Sequence, residues 1–288
     1  MRQTTISPSQ MDALSCRLSW YWQYACGYSP KRKTVALELG TGIHLALEKY
    51  YGKKQDPIAV FAAWAEKRIK DLDANWDDDK EELYDMKALG CAMLEGYLKE
   101  YKDKDDFDVL ATEETLTIPL LNPATGYPTK CALVVRLDGI VRDHYSGKIF
   151  SMEHKTFSTF QSGYLDKDHQ MTAQVLAGKQ LLKNLGLDEP IVGVIYNGLR
   201  KQAPSPRVKT NLFERHKIYR TENHIQVFLT RAYWAYKEIS QKRLPIYPEP
   251  NAIRCNSCSF KEVCTEYQSG GDFQFILDNL YQKAVRQN

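Results

Sequence analysis

The stretch that most restricts the fold runs from residue 133 to 156, LVVRLDGIVRDHYSGKIFSMEHKT. Val134, Val135, Leu137, Ile140 and Val141 favour strands, His144-Tyr145-Ser146-Gly147 has turn composition, and residues 149–156 resume an extended pattern, which predicts a β-hairpin. With the turn centred between Tyr145 and Ser146, Asp143 faces Lys148 and Asp138 faces Glu153. Facing residues in such a pair have Cβ atoms roughly 4.5–5.5 Å apart, and like charges there repel. Two acids so placed need a cation between them or a shared proton. Lys155, two residues beyond Glu153, projects from the same face. Taken alone, the three make a salt-bridged network more readily than a site, so the rest of the chain must decide.

A chain of 288 residues can bury a sizeable core, as one large domain or a domain with an appended lobe. Its net charge of +3 demands no polyanionic partner, but the basic residues are clustered. Lys31, Arg32 and Lys33 form one group; Arg200, Lys201, Arg207, Lys209, Arg215 and Lys217 form another, with acidic residues concentrated over 71–85. Such clusters are either a solvated surface or a nucleic-acid track. There is no apolar run of the roughly 18 residues that a membrane span needs, and residues 1–10 are polar, unlike a signal peptide. The expected location is therefore the cytoplasm, where a tight group of cysteines points to metal and not to disulfides.

Ser7-Pro8-Ser9 followed by Met11, Leu14, Leu18 and Trp22 predicts a capped amphipathic helix carrying Cys16, in a stretch dense in aromatics. A second helix is expected over 35–51, with His44 and Glu48 four apart on one face and Gly40 one turn before His44. Glycine lowers helix propensity there, which makes sense if something must approach the backbone closely. Helices over 57–75 and 79–101 form an all-α insertion, residues 53–105, ahead of the sheet. A strand is expected over 113–120, a helix over 170–185, a buried strand over 190–196, a basic loop over 197–210, a strand over 217–219 and a helix over 222–242. The last informative segment is a Pro-rich stretch leading into Cys255-x2-Cys258-x5-Cys264.

Asp138, Glu153 and Lys155 are the residue types that metal-dependent phosphodiester hydrolysis uses. Hard Mg²⁺ takes carboxylate and carbonyl oxygens, which Asp138, Glu153 and the carbonyl of His154 offer, and Lys155 is placed to orient or deprotonate a water. His44 adds an imidazole within reach of the same ion, and Glu48 shares its face. The three late cysteines lack a fourth partner, for which Cys16 and Cys26 are the leading candidates ahead of Cys91 and Cys131. Spacing alone leaves both zinc and an iron-sulfur cluster open.

The order Cys16, Gly40-x3-His44, Asp138, Glu153-x-Lys155, Gln170, Cys255, Cys258, Cys264 resembles the PD-(D/E)XK nuclease superfamily, over residues 7–264. Within it the chain looks like the RecB-type branch with an iron-sulfur staple, which includes CRISPR-adaptation exonucleases, the AddB nuclease domain and phage-encoded exonucleases. The resemblance implies a restriction-endonuclease-like α/β fold, a central mixed sheet flanked by helices, as one domain over 1–270 with a tail at 271–288. It implies that His44, Asp138, Glu153 and the His154 carbonyl bind Mg²⁺ or Mn²⁺, that Lys155 positions the attacking water, and that Gln170 assists the site or contacts DNA. It further implies a structural [4Fe-4S] cluster on Cys16, Cys255, Cys258 and Cys264, with residues 1–30 and 244–267 as its lobe. Two positions depart from the pattern: Gln174 stands where a Tyr is common, and Arg17 where a Pro often follows the first cluster Cys. The implied activity is a DNA exonuclease, on single-stranded ends with Arg200, Lys201, Arg207 and Lys209 as phosphate contacts, or on duplex ends in recombination. A recombination or CRISPR-type protein partner would accompany it. The contrasting expectation is a non-catalytic DNA-binding or assembly module.

Overall fold

The structure, a computed structural model, describes residues 4–72, 77–102, 104–160, 162–208 and 210–283, with backbone alone at 77–79. In chain order these form β1 (Thr4–Ile6), α1 (Pro8–Ala13), α2 (Arg17–Trp20), a π-helical turn (Tyr21–Ala25), β2 (Tyr28–Pro30), α3 (Val35–Lys53), α4 (Pro57–Lys70), α5 (Asp77–Tyr101), β3 (Phe107–Leu121), β4 (Pro128–Asp143), β5 (Ile149–Phe157), α6 (Ser162–Leu165), α7 (His169–Asn184), β6 (Ile191–Arg200), β7 (Phe213–Tyr219), α8 (Glu222–Ile239), α9 (Ala252–Asn256), α10 (Lys261–Ser269), α11 (Phe273–Leu280) and β8 (Tyr281–Lys283). They divide into two compact units, one of Thr34–Ile118 with Val134–Phe228, the other of Met1–Lys33, Pro119–Leu133 and Leu229–Asn288. Of the acidic stretch 71–85, residues 73–76 lie outside the described residues. No helix of the described residues is long and apolar enough to cross a membrane.

The first unit is built on a mixed sheet flanked by helices, the architecture of a restriction-endonuclease-like α/β fold. β4 is antiparallel to β5, β5 parallel to β6 and β6 antiparallel to β7, while β3 also pairs with β4. The hairpin has the expected register. Gly139 pairs with Met152, Ile140 with Ser151, Val141 with Phe150 and Arg142 with Ile149, and Asp143 N donates to the Lys148 carbonyl at 3.0 Å. The β4 ladder stops one pair short of Asp138 and Glu153, while on its other edge β5 pairs with β6 from Ile149 to Phe157. Residues 149–154 of β5 are buried without alternation, as befits a central strand covered on both faces.

Two close approaches shape this unit. A Cβ on Gly193 would lie 2.2 Å from the Ile218 carbonyl oxygen, so β6 and β7 can pair at this distance only around glycine. A Cβ on Gly40 would lie 3.3 Å from Thr156 Oγ1, so the element that nears α3 there is β5 itself. The core joins α3, α4 and α5 to the sheet through Ile43, Leu47, Phe61, Leu94, Phe150 and Leu199. β6 runs to Arg200 and β7 starts at Phe213, so the expected basic loop gives its first four residues to a strand; pairing from Gly193–Tyr219 to Leu199–Phe213 extends both.

In the second unit β1 runs parallel to Cys131–Leu133, and β2 pairs with β8. Its core is small and aromatic: Trp22 lies 5.7 Å from Phe260, which stacks on Tyr281 at 5.2 Å, with Leu18, Val263 and Leu277 around them. The expected continuous N-terminal helix is broken. The amides of Ser15 and Cys16 bond back to Asp12 and Ala13, which ends α1, and Cys16 then caps α2. Residues 273–283, within the stretch read as a tail, form α11 and β8, because Phe273, Ile276 and Leu277 pack on that core.

Candidate active site

Where β4 and β5 part, the amide of His154 has no partner on β4, and Asp138 Oδ2 accepts it at 2.8 Å. The same oxygen lies 3.3 Å from His44 Nδ1, which α3 delivers one turn past Gly40. Burial opposes the ionisation of Asp138, but His44 and the His154 amide outweigh it and hold its pKa down at about 2. Burial likewise opposes a charge on His44, and Asp138 reverses this, so its pKa is raised.

Glu153 is almost fully buried beside this acid. Burial and the negative charge of Asp138 raise its pKa. Lys155 Nζ lies 2.5 Å from Glu153 Oε1, and although burial pulls the lysine down, Glu153 raises it, so Lys155 keeps its proton. The Lys155 ammonium is thus held against Glu153, where it can donate to an oxygen placed beside that acid.

Helix α7 completes the cluster. Asp168 caps it, accepting from Gln170 N at 2.7 Å, which points Gln170 back at β5. Gln170 Nε2 donates to Glu153 Oε1 at 2.7 Å and its Oε1 accepts from Lys155 at 3.1 Å. One turn on, Gln174 donates to Glu153 Oε2. The structure therefore brings His44, Asp138, Glu153, His154, Lys155 and Gln170 together. Glu48 is turned to Lys49, 2.5 Å from its Nζ.

Behind the site lies a buried network that was not foreseen from the sequence. His154 stacks on Tyr51, and its Nδ1 lies 2.8 Å from Asn197 Nδ2. The amide is the donor, because burial lowers the His154 pKa to about 3 and leaves the ring neutral. Asn197 also donates to Tyr97 OH, and Arg215 donates to Asn197 Oδ1, Tyr51 and Tyr97 while pairing with Asp105 at 2.7 Å. The available signal was Asn197, a polar residue inside the apolar run of β6 and fully buried.

The basic cluster is split by the fold. Arg215 and Lys217 are spent on Asp105 and Asp143. Lys201 donates to the Ala36 carbonyl at 3.1 Å, Arg200 lies over the Phe157 ring at 5.7 Å, and Arg207 is exposed; Lys209 lies outside the described residues.

In the second unit, Cys264 has its pKa raised, first by burial and then by Cys16, Cys258 and Cys255, which places these four thiols within electrostatic reach. Each accepts a donor: Glu249 N to Cys16, Asn251 N to Cys255, Phe260 N to Cys258 and Gln268 Nε2 to Cys264, at 3.3–3.5 Å. Cys26 instead meets the Tyr21 hydroxyl.

Among the described residues, no three His, Cys, Asp or Glu side chains are set as a ready-made metal-binding group. At the first cluster the side chains are engaged in pairs, His44 with Asp138 and Lys155 with Glu153. The donor chemistry nonetheless fits a hard divalent ion: two desolvated carboxylates, Asp138 raising the cost of ionising Glu153, with an imidazole beside them. The four thiols, each with an N–H donor, fit thiolate ligation of a cluster.

No curated protein matches this sequence. The family model of the PD-(D/E)XK nuclease superfamily matches residues 5–265, most of the chain, and the protein belongs to that superfamily.

Proposed function

We propose that the protein is a Mg²⁺- or Mn²⁺-dependent DNA exonuclease acting on single-stranded ends, with a structural [4Fe-4S] cluster. The observation that carries this is the convergence of Asp138, Glu153, Lys155, His44 and Gln170 on one buried cluster in a chain of this superfamily. Asp138, Glu153, His44 and the His154 carbonyl would hold the metal, which supplies Lewis-acid stabilisation of charge on the phosphate and lowers the pKa of a water. Asp138 does two jobs, as ligand and as the acceptor that fixes the His154 peptide. Lys155, protonated, holds water or a non-bridging oxygen in line, and Gln170 keeps its ammonium from swinging away. Exposed Arg207, and Arg200 at the end of β6, offer phosphate contacts, and the binding they contribute should weaken with salt.

Cys16, Cys255, Cys258 and Cys264 would carry the cluster and tie the ends of the second unit together; the N–H···S contacts and the mutual reach of the thiols support this set over one containing Cys26. The test is degradation of 5′- and 3′-labelled single strands and duplexes with Mn²⁺. Wild type should shorten single strands from an end and Asp138→Ala should not. Full degradation by Asp138→Ala refutes catalysis at this site; no degradation by wild type refutes it too and favours a non-catalytic binding module; faster digestion of blunt duplex assigns duplex-end processing instead.

A further inference from the structure

Helix α7 sets two glutamines, one turn apart, on a single carboxylate. Gln170 takes Glu153 Oε1 and Gln174 takes Oε2. The two are not equivalent. Gln170 is partly exposed and also engages Lys155, whereas Gln174 has no exposed surface and touches no charged group besides Glu153 among its hydrogen-bond partners. Its amide is itself held, because Oε1 accepts from Ser151 Oγ at 3.1 Å. Ser151 is fully buried on β5, two residues before Glu153, and its hydroxyl lies 3.3 Å from the Gly139 carbonyl on β4. In this orientation Nε2 donates to the Glu153 carboxylate while Oε1 accepts from the hydroxyl, so the amide bridges Ser151 and Glu153.

This relay has a use that packing alone does not explain. The terminal torsion of a glutamate is broad and roughly two-fold, so a carboxylate gripped at one oxygen can still rock. Oε1 is gripped by Lys155 and Gln170, both of which must yield or shift when a cation arrives. Oε2 is gripped from the core side by a neutral donor that brings no positive charge against that cation. We propose that Gln174, anchored by Ser151, is a positioning residue that fixes the Glu153 carboxylate for divalent-metal binding. The proposal rests on the metal-dependent reading above. It also gives a role to the position where the resemblance expects a tyrosine.

The test uses the full chain with Gln174→Leu, which keeps length and removes the donor, and Ser151→Ala, which removes only the anchor. Mn²⁺ binding is measured by calorimetry without DNA, melting temperature with chelator present, and cleavage across Mn²⁺ and DNA concentrations. Gln174→Leu should weaken Mn²⁺ binding by about 10- to 100-fold. The Mn²⁺ needed for half-maximal cleavage should rise by the same factor, KM for DNA should stay within about twofold, and excess Mn²⁺ should restore kcat; those last two would not follow from a merely structural role. Ser151→Ala should move the same readouts in the same direction by less. Wild-type Mn²⁺ affinity in both folded variants overturns the proposal while leaving the nuclease assignment intact. Should Gln174→Leu fail to fold, Ser151→Ala decides alone, and an unchanged Mn²⁺ affinity there overturns it. If the wild type binds no Mn²⁺ and leaves DNA whole, the nuclease assignment falls and this proposal with it.

Discussion

Arg215 carries the heaviest burden in the network behind the site, and its removal has a calculable effect. Its guanidinium lies 2.7 Å from Asp105, each side chain 17% exposed, and it donates to Asn197 and Tyr97 at 2.9 Å and to Tyr51 at 3.0 Å. With an effective permittivity of about 20, unit charges at that separation attract by roughly 6 kcal/mol, and desolvation offsets several kcal/mol of this. Removing only the arginine leaves the desolvation of Asp105 uncompensated and deprives three acceptors of a charged donor. Arg215→Met should therefore lower the unfolding free energy by about 3–5 kcal/mol, read by urea titration with circular dichroism. Adding Asp105→Asn removes the stranded charge and should recover at least about 1.5 kcal/mol of the loss. A loss below about 1 kcal/mol in the single variant, or no recovery in the double, would refute a stabilising, largely desolvated ion pair.

Three further outcomes are expected. Asp143 is buried, which would raise its pKa, but Lys217 and Ser146 donate to it and leave it lowered, so its contribution is present above the unfolded value near 4 and lost as pH falls through the folded one. Asp143→Asn should accordingly destabilise the protein at pH 7 and much less at pH 3, measured by denaturant midpoints at both; equal losses would contradict it. Gly193→Ala forces a Cβ onto the Ile218 carbonyl oxygen and should cost about 1–3 kcal/mol, with a thermal melt within a degree of wild type as the opposing result. Anaerobically purified wild type should be brown and Cys16→Ser pale with a lower melting temperature, while Cys26→Ser stays brown; colourless wild type carrying stoichiometric zinc would defeat the cluster assignment.

What could be read from residues alone followed physical locality. The hairpin register depends on a four-residue turn and on alternation, both visible in the chain, so the facing of Asp138 and Glu153 could be reached to within one ladder position. The helix that brings Gln170 was visible through its apolar spacing, and its Asp168 cap sets where that glutamine points. Arg215 shows the opposite case. By composition it belongs with a basic surface cluster, but Tyr51, Tyr97, Asp105 and Asn197 lie far from it in sequence, and only the packing of α3, α5 and β6 around β7 makes it an interior charge. The N-terminal helix was overextended for a related reason. Its apolar spacing persists through Trp22, and side-chain spacing carries no sign of the backbone bonds at Ser15 and Cys16 that break it.

The early end of the β4–β5 ladder has a consequence for how this hairpin tolerates change. Register is set at the tip, where Asp143 and Lys148 close the turn, and it decides several residues away which side chains meet α7 and which meet the core. What counts is parity. A graft that replaces Tyr145 but keeps Asp143 opposite Lys148 leaves Glu153 and Lys155 where they are, however long the new tip. One residue added between the turn and Glu153 would put Met152 where the acid stood, sending the carboxylate toward Tyr51 and Asn197 and His154 to the place of Lys155. The tip is thus free to vary in length, and the two strands leading from it are not.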